Sequence, residues 1–137
     1  MGQLDKTITY EVNISVCRFV VFGDSMYVSD DNNNMLSALT PSGELLRTFC
    51  TPDLISPCGM TVLVTRQLIV CGRNSTNLVL LNTNTGETRK LYGELGGINK
   101  PSTLCFKLEG SKLFVLPDCY NVISVRHVIL DADELTH

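Results

Sequence analysis

The chain has 137 residues, 44% of them hydrophobic and 18% charged, with 11 basic against 14 acidic residues for a formal charge of −3. That length fits one ordinary domain, and the composition is that of a packed globular protein rather than a disordered one. The acidic balance opposes binding driven mainly by phosphate neutralisation, and no apolar run reaches the length that spans a bilayer.

The opening MGQLDKT has no apolar core of the signal-peptide kind, which makes a cytoplasmic location the expectation; Lys6 stands where a myristoylation signal has Ser or Thr. From Thr7 to Ile14, Ile8, Tyr10, Val12 and Ile14 alternate with polar residues, the pattern of a half-buried strand. Short apolar or alternating runs then follow, separated by Gly, Asn, Asp and Pro turn signals, and these predict consecutive antiparallel strands. The first unit predicts strands over 17–22, 25–29, 35–39 and 45–49. The second predicts 60–64, 67–71, 78–81 and 88–92; the third predicts 104–108, 112–116 and 122–125, with a fourth at 128–130. No long stretch keeps a helical apolar stripe, and only 130–137 has the makings of a helical turn.

These units repeat. Val28, Val70 and Val115 close equivalent apolar pairs at offsets of 42 and 45, and Asn34, Asn77 and Asn121 open the next segments at offsets of 43 and 44. Gly43 and Gly86, in the turns PSGE and NTGE, are 43 apart, and Pro57 and Pro101 are 44 apart. Four short strands in about 40–45 residues is the size of one propeller blade. The expected fold is therefore all-β: three four-stranded antiparallel blades over 16–57, 58–101 and 102–130, with strand 7–14 belonging to a neighbouring blade.

The stretch MYVSDDNNNMLSALTPSGELLRTF resembles a blade of the NHL-repeat propeller family, and QLIVCGRNSTNLVLLNTNTGE and LGGINKPSTLCFKLEGSKLFV are similar to later blades of tripartite-motif-like NHL proteins. The resemblance covers roughly 16–127. Cys71-Gly72 and Leu116-Pro117 stand where unit one has Ser29-Asp30. It implies a closed ring of about six blades, of which this chain holds half. An open half-ring leaves a blade face and strand edges uncovered, so either two chains complete the ring as a homodimer, the chain is part of a longer protein, or it is a short product that folds imperfectly by itself.

FGDSM, from Phe22 to Met26, also resembles the nucleophile block of GDSL esterases, with Ser25 as the attacking group and Asn32 to Asn34 as the following Asn run. That chemistry needs a His base oriented by an acid and a nucleophile on a strand-to-helix elbow. The C-terminal His137 follows Asp133 by four residues where that family has three, and Tyr27, Val28 and Ser29 continue as a strand. Ser25 is read as a turn residue, and no catalytic residue is assigned.

Six cysteines, Cys17, Cys50, Cys58, Cys71, Cys105 and Cys119, lie at intervals of 33, 8, 13, 34 and 14, with no C-x-x-C pair and only His127 and His137 beside them. Buried reduced thiols are expected, with neither a metal site nor a cofactor. The sequons at Asn13 and Asn74 matter only in a secreted chain.

Chain direction reverses at each turn of a blade, so the loops joining second to third strands share one face with the loops between blades. That face carries Asp30, Asp31, Asn32, Arg73, Asn74, Lys100, Asp118 and Tyr120, and scaffolded loops are where binding resides. Asp30, Asp31 and Asn32 lack the spaced carboxylates of a calcium loop and read as a turn closed by short polar side chains. Arg73 and Lys100, with Arg66, Arg89 and Lys90, are the cations available for an RNA contact of the kind the resemblance implies, and Tyr120 is the candidate aromatic contact. The expectation is a non-catalytic module that presents this face to a protein partner. In tripartite-motif-like proteins, such a propeller resembles the substrate-recruiting end of a ubiquitin ligase.

Overall fold

The computed structural model describes residues 16–63, 66–92, 100–117 and 126–129. The expected strands over 7–14 and 122–125 lie outside them. The first sheet holds β1 (Val16–Phe22), β2 (Ser25–Asp30), β3 (Met35–Leu39) and β4 (Leu45–Phe49) in that order, and the second holds β5 (Pro57–Val62), β6 (Gln67–Gly72), β7 (Asn77–Asn82) and β8 (Thr88–Tyr92). The third has the order β11-β10-β9, built from β9 (Pro101–Lys107), β10 (Lys112–Pro117) and β11 (Arg126–Ile129). All neighbours are antiparallel. Apart from one 3-10 turn at Glu109–Ser111, the described residues form strands, turns and loops, and none of their helices is long and apolar enough to cross a membrane.

The third sheet departs from the sequence reading. The partner of β10 is β11, with Lys112 opposite Ile129 and Val115 opposite Arg126. Val128 and Ile129 thus belong to the third strand, not to a fourth, and no fourth strand of this sheet occurs among the described residues. Two short apolar runs this close together satisfy the same period of two, so the pattern could not choose between them. β5 and β9 also begin earlier than expected, at Pro57 and Pro101. Proline offers no ladder donor but is tolerated as the first residue of a strand.

The first strands stand side by side, β1 against β5 and β5 against β9. Each carries a bulge at the same place: the register with the second strand slips between Val16 and Phe19, between Pro57 and Met60, and at Ser102 beyond Pro101. A repeated bulge re-aims the strand at the point where the next blade comes in.

Period-two alternation then sorts the core. In β6 and β7, Leu68, Val70, Val79 and Leu81 pack with Tyr27, Leu36, Ala38 and Phe49 of the first blade. The intervening Ile69, Cys71, Leu78 and Leu80 pack with Leu104, Leu113 and Val115 of the third. Every residue of β6 is buried because both its faces are covered.

Ser29 and Cys71 occupy the same position in successive blades. The Arg18 amide donates to Ser29 Oγ at 3.0 Å, and that hydroxyl faces the carbonyl of Cys58 at 2.9 Å in the next blade. Cys71 replaces the hydroxyl with a thiol held by the Gly59 backbone. Its burial pushes the thiol far above the ordinary range, with the Gly59 hydrogen bond and the Arg18 charge opposing weakly. The folded chain therefore keeps this proton at a pH where the unfolded chain has released it, so stability is intact below the unfolded thiol pKa of about 8.5 and falls as pH rises beyond it. Urea unfolding between pH 7 and 10 is expected to show no slope from this thiol near pH 7 and a loss that steepens above pH about 8.5 toward about 1.4 kcal/mol per pH unit, removed in Cys71→Ser.

The expectation of mostly buried, reduced thiols needs correction. Cys71 is buried and free, whereas Cys50 and Cys105 are free but exposed. Cys50 follows the end of β4, and Cys105 sits on the side of β9 turned away from the second blade. Cys58 is disulfide-bonded. Its partner lies outside the described side chains.

Candidate functional site

The β2–β3 turn (31–34) and the β6–β7 turn (73–76) are the same turn. Each spans four residues and ends in a left-handed residue, Asn34 at φ 55° and Thr76 at φ 51°. Asn tolerates that conformation better than a β-branched residue, so Thr76 is held in it by its surroundings. Asp30 closes the first turn from inside: its carboxylate accepts from the Asn33 amide at 3.3 Å and from Asn33 Nδ2 at 2.8 Å, and the residue is 1% exposed. Asp30 thus fixes the turn from a buried position. Asn32 is exposed at its tip.

The segment joining the first two blades is stitched to both turns. The Ser56 amide donates to Asn34 Oδ1 at 2.8 Å, and the Arg73 and Asn74 amides donate to the carbonyls of Ser56 and Ile55 at 3.0 and 3.2 Å. Asn74 Nδ2 donates to Ser56 Oγ at 2.8 Å, and Ser75 Oγ accepts from the Ile55 amide at 3.0 Å. Asn77 Nδ2 reaches the Asp53 carbonyl at 2.5 Å. Side chains here replace the ladder that a loop lacks, so three segments from two blades form one polar surface.

Arg73 and Asp31 bridge the blades across this surface at 3.6 Å. Both are partly exposed, so the pair contributes at most about 1 kcal/mol, and it leaves Asp31 Oδ1 buried with no hydrogen-bond partner. Lys100 is exposed with φ 53°, directly before Pro101, matching Ser56 at φ 52° before Pro57. Asp118 and Tyr120 lie outside the described residues.

The other cations fall elsewhere. Arg66, at the β5–β6 turn, lies at the opposite end of the blade beside Gly23. Arg89 and Lys90 are exposed on the outer strand β8. Arg73, Arg66 and the β8 pair therefore belong to three separate regions, and Arg73 has a carboxylate beside it. Ser25 opens β2 across a two-residue turn from Phe22, between two antiparallel strands. The strand-to-helix elbow of the esterase reading does not exist here.

Sequence reasoning missed one feature. A cleft of about 320 Å³ at the far end of the second blade is lined by Gln67, Leu80, Asn82, Glu87, Thr88 and Arg89. Gln67 Oε1 is buried there without a hydrogen-bond partner. Cross-strand pairing of Gln67 with Asn82 and of Leu80 with Arg89 assembles the cleft, and single-strand patterns carry no trace of that pairing. Among the described residues, no three His, Cys, Asp or Glu side chains converge in a group that would hold a metal ion.

No family model matches the chain, and no curated protein matches it. Solved structures do. The chain is similar over 94% of its length to 47% of a catalytically inactive virginiamycin B lyase from Staphylococcus aureus solved with quinupristin, at TM-score 0.70 and 17% identity. It is similar over 98% of its length to 37% of the hydrazine synthase of Kuenenia stuttgartiensis, at TM-score 0.69 and 13% identity. A Bacteroides thetaiotaomicron protein of unknown function matches 66% of the chain over 29% of its own, at TM-score 0.56 and 21% identity. The chain spans less than half the length of these solved chains, and at such identities the likeness shows the fold alone: these are three blades of β-propeller type.

Proposed function

We propose that these blades form a non-catalytic binding module that docks a protein partner on the face carrying the 31–34, 51–56 and 73–76 segments. One observation carries this reading: side-chain hydrogen bonds lock three loops from two blades into one surface, leaving Asn32, Asp53 and Asn74 exposed on a pre-ordered frame. The NHL-like repeats support a tripartite-motif-like setting, in which the module recruits substrates for a ubiquitin ligase.

Asn32→Arg and Lys100→Glu, both at exposed positions of this face, are expected to reduce partner capture from cell extract at least tenfold with unchanged thermal unfolding. Lys90→Glu on the outer strand leaves capture intact. Equal capture by all three variants rejects the reading. RNA as the ligand predicts instead that binding weakens steeply with added salt. Stoichiometric metal in the purified protein would favour a propeller enzyme. The bonded Cys58 is expected to be recovered as cystine from an oxidising compartment, whereas its recovery reduced from cells would favour a cytoplasmic setting, which keeps thiols free.

A further inference from the structure

Each blade meets the next in the same way, and among the described residues the two outermost faces have no neighbouring blade. Met60 and Leu104 hold equivalent positions in the first strands of the second and third blades, each paired with a buried valine of the second strand, and they are 6% and 8% exposed. Both are buried against the preceding blade. Phe19 holds that position in the first blade and is 62% exposed; Val21, the counterpart of Val62, is 64% exposed. Leu45 and Leu46 on the outer strand of the same blade are also more than half exposed. At the other end, Val20 packs into the junction between the first and second blades. Its counterpart in the third blade, Cys105, is exposed, and Leu116 is only half-buried where Ser29 and Cys71 are fully buried. Apolar side chains gathered on one sheet face mark an interface.

We propose that a second copy of this chain covers both faces, the first blade of each copy packing against the third blade of the other in the register of the internal junctions. Three observations favour a second copy as the occupant. Phe19 and Val21 are exposed at positions whose counterparts, Met60 and Val62, pack at an internal junction. The two open faces are of opposite kind, so a twofold arrangement satisfies both at once and leaves no end open. The chain also matches 47% of a solved chain of the same fold, so two copies come close to that chain's full length.

Light scattering after size exclusion, at tens of micromolar chain, is predicted to give twice the chain mass with a β-rich dichroism spectrum. Phe19→Asp and Cys105→Lys, both at exposed positions, are each expected to lower the association constant at least tenfold while keeping that spectrum. Mixing the two variants restores association, because one junction is then wild type and the other sets the introduced carboxylate near the introduced ammonium. A monodisperse, β-rich monomer overturns the proposal and assigns the faces to further blades of a longer polypeptide. A dimer that both variants leave unchanged overturns it as well, since association then uses another surface.

Discussion

Gly59→Ala is expected to destabilise the protein by about 3 kcal/mol, at the upper end of what overpacking costs. The position lies in β5, within the bulge where the first strands of the second and third blades converge. A methyl group there would run into the Ser102 carbonyl and approach Thr103 Cα to 3.0 Å. The obstacle is backbone, which cannot rotate aside as a side-chain tip can. Gly59 does not adopt a left-handed conformation, so the cost comes from the neighbouring strand alone. Gly43→Ala is the useful contrast: Gly43 has φ 93°, and the loss there is strain of about 1 kcal/mol within one exposed turn. Urea denaturation of both variants separates the two causes.

Leu68→Ala and Ile69→Ala are each expected to cost about 2–5 kcal/mol, the range for deleting a buried aliphatic side chain. Both residues are 0% exposed and adjacent in β6, yet they open different junctions. Leu68 packs with Tyr27, Leu36 and Phe49, so its truncation loosens the first blade. Ile69 packs with Leu104, Leu113 and Val115, so its truncation loosens the third. Hydrogen exchange is the discriminating measurement. Protection falls first in β2 and β3 for Leu68→Ala and in β9 and β10 for Ile69→Ala, because opening is local to the weakened contact. Equal loss throughout would mean that the blades unfold as one unit.

How far the sequence reveals this fold follows from what each signal measures. Alternation and turn residues placed β2, β3, β4 and β8 within a residue of where they lie, since those strands are bounded by Gly, Pro or Asn turns. The repeat was legible too, but one of its anchors was misaligned. Asn77 is the first residue of β7 and matches Met35, whereas Asn34 matches Thr76, the left-handed end of the turn. The drift from 42 to 43 arises at the third turn, where Gly43 bonds back to Thr40 and Gly86 to Asn82, one residue farther. Identity at a fixed offset does not register such an insertion, whereas hydrogen bonding does.

The candidate face was legible as topology and less so as chemistry. The rule that chain direction reverses at each turn put 30–33, 50–57 and 73–76 on one side, and hydrogen bonds among the 31–34, 51–56 and 73–76 segments join them there. Whereas the Asp30–Asn33 bonds are the local turn closure that the short polar residues suggest, that Arg73 meets Asp31 depends on a contact between residues far apart in the chain, which no local spacing encodes. The disulfide at Cys58 and the cleft at Gln67 were hidden for the same reason.

Chemical crosslinking of the protein to its captured partner, followed by peptide mapping, tests the central claim most directly. Crosslinks are predicted to cluster in 31–34, 51–56, 73–76 and at Lys100. Crosslinks confined to the outer strands β4 and β8, or to the turns at Gly23 and Arg66 on the opposite side, would contradict the assignment of the loop face as the working surface.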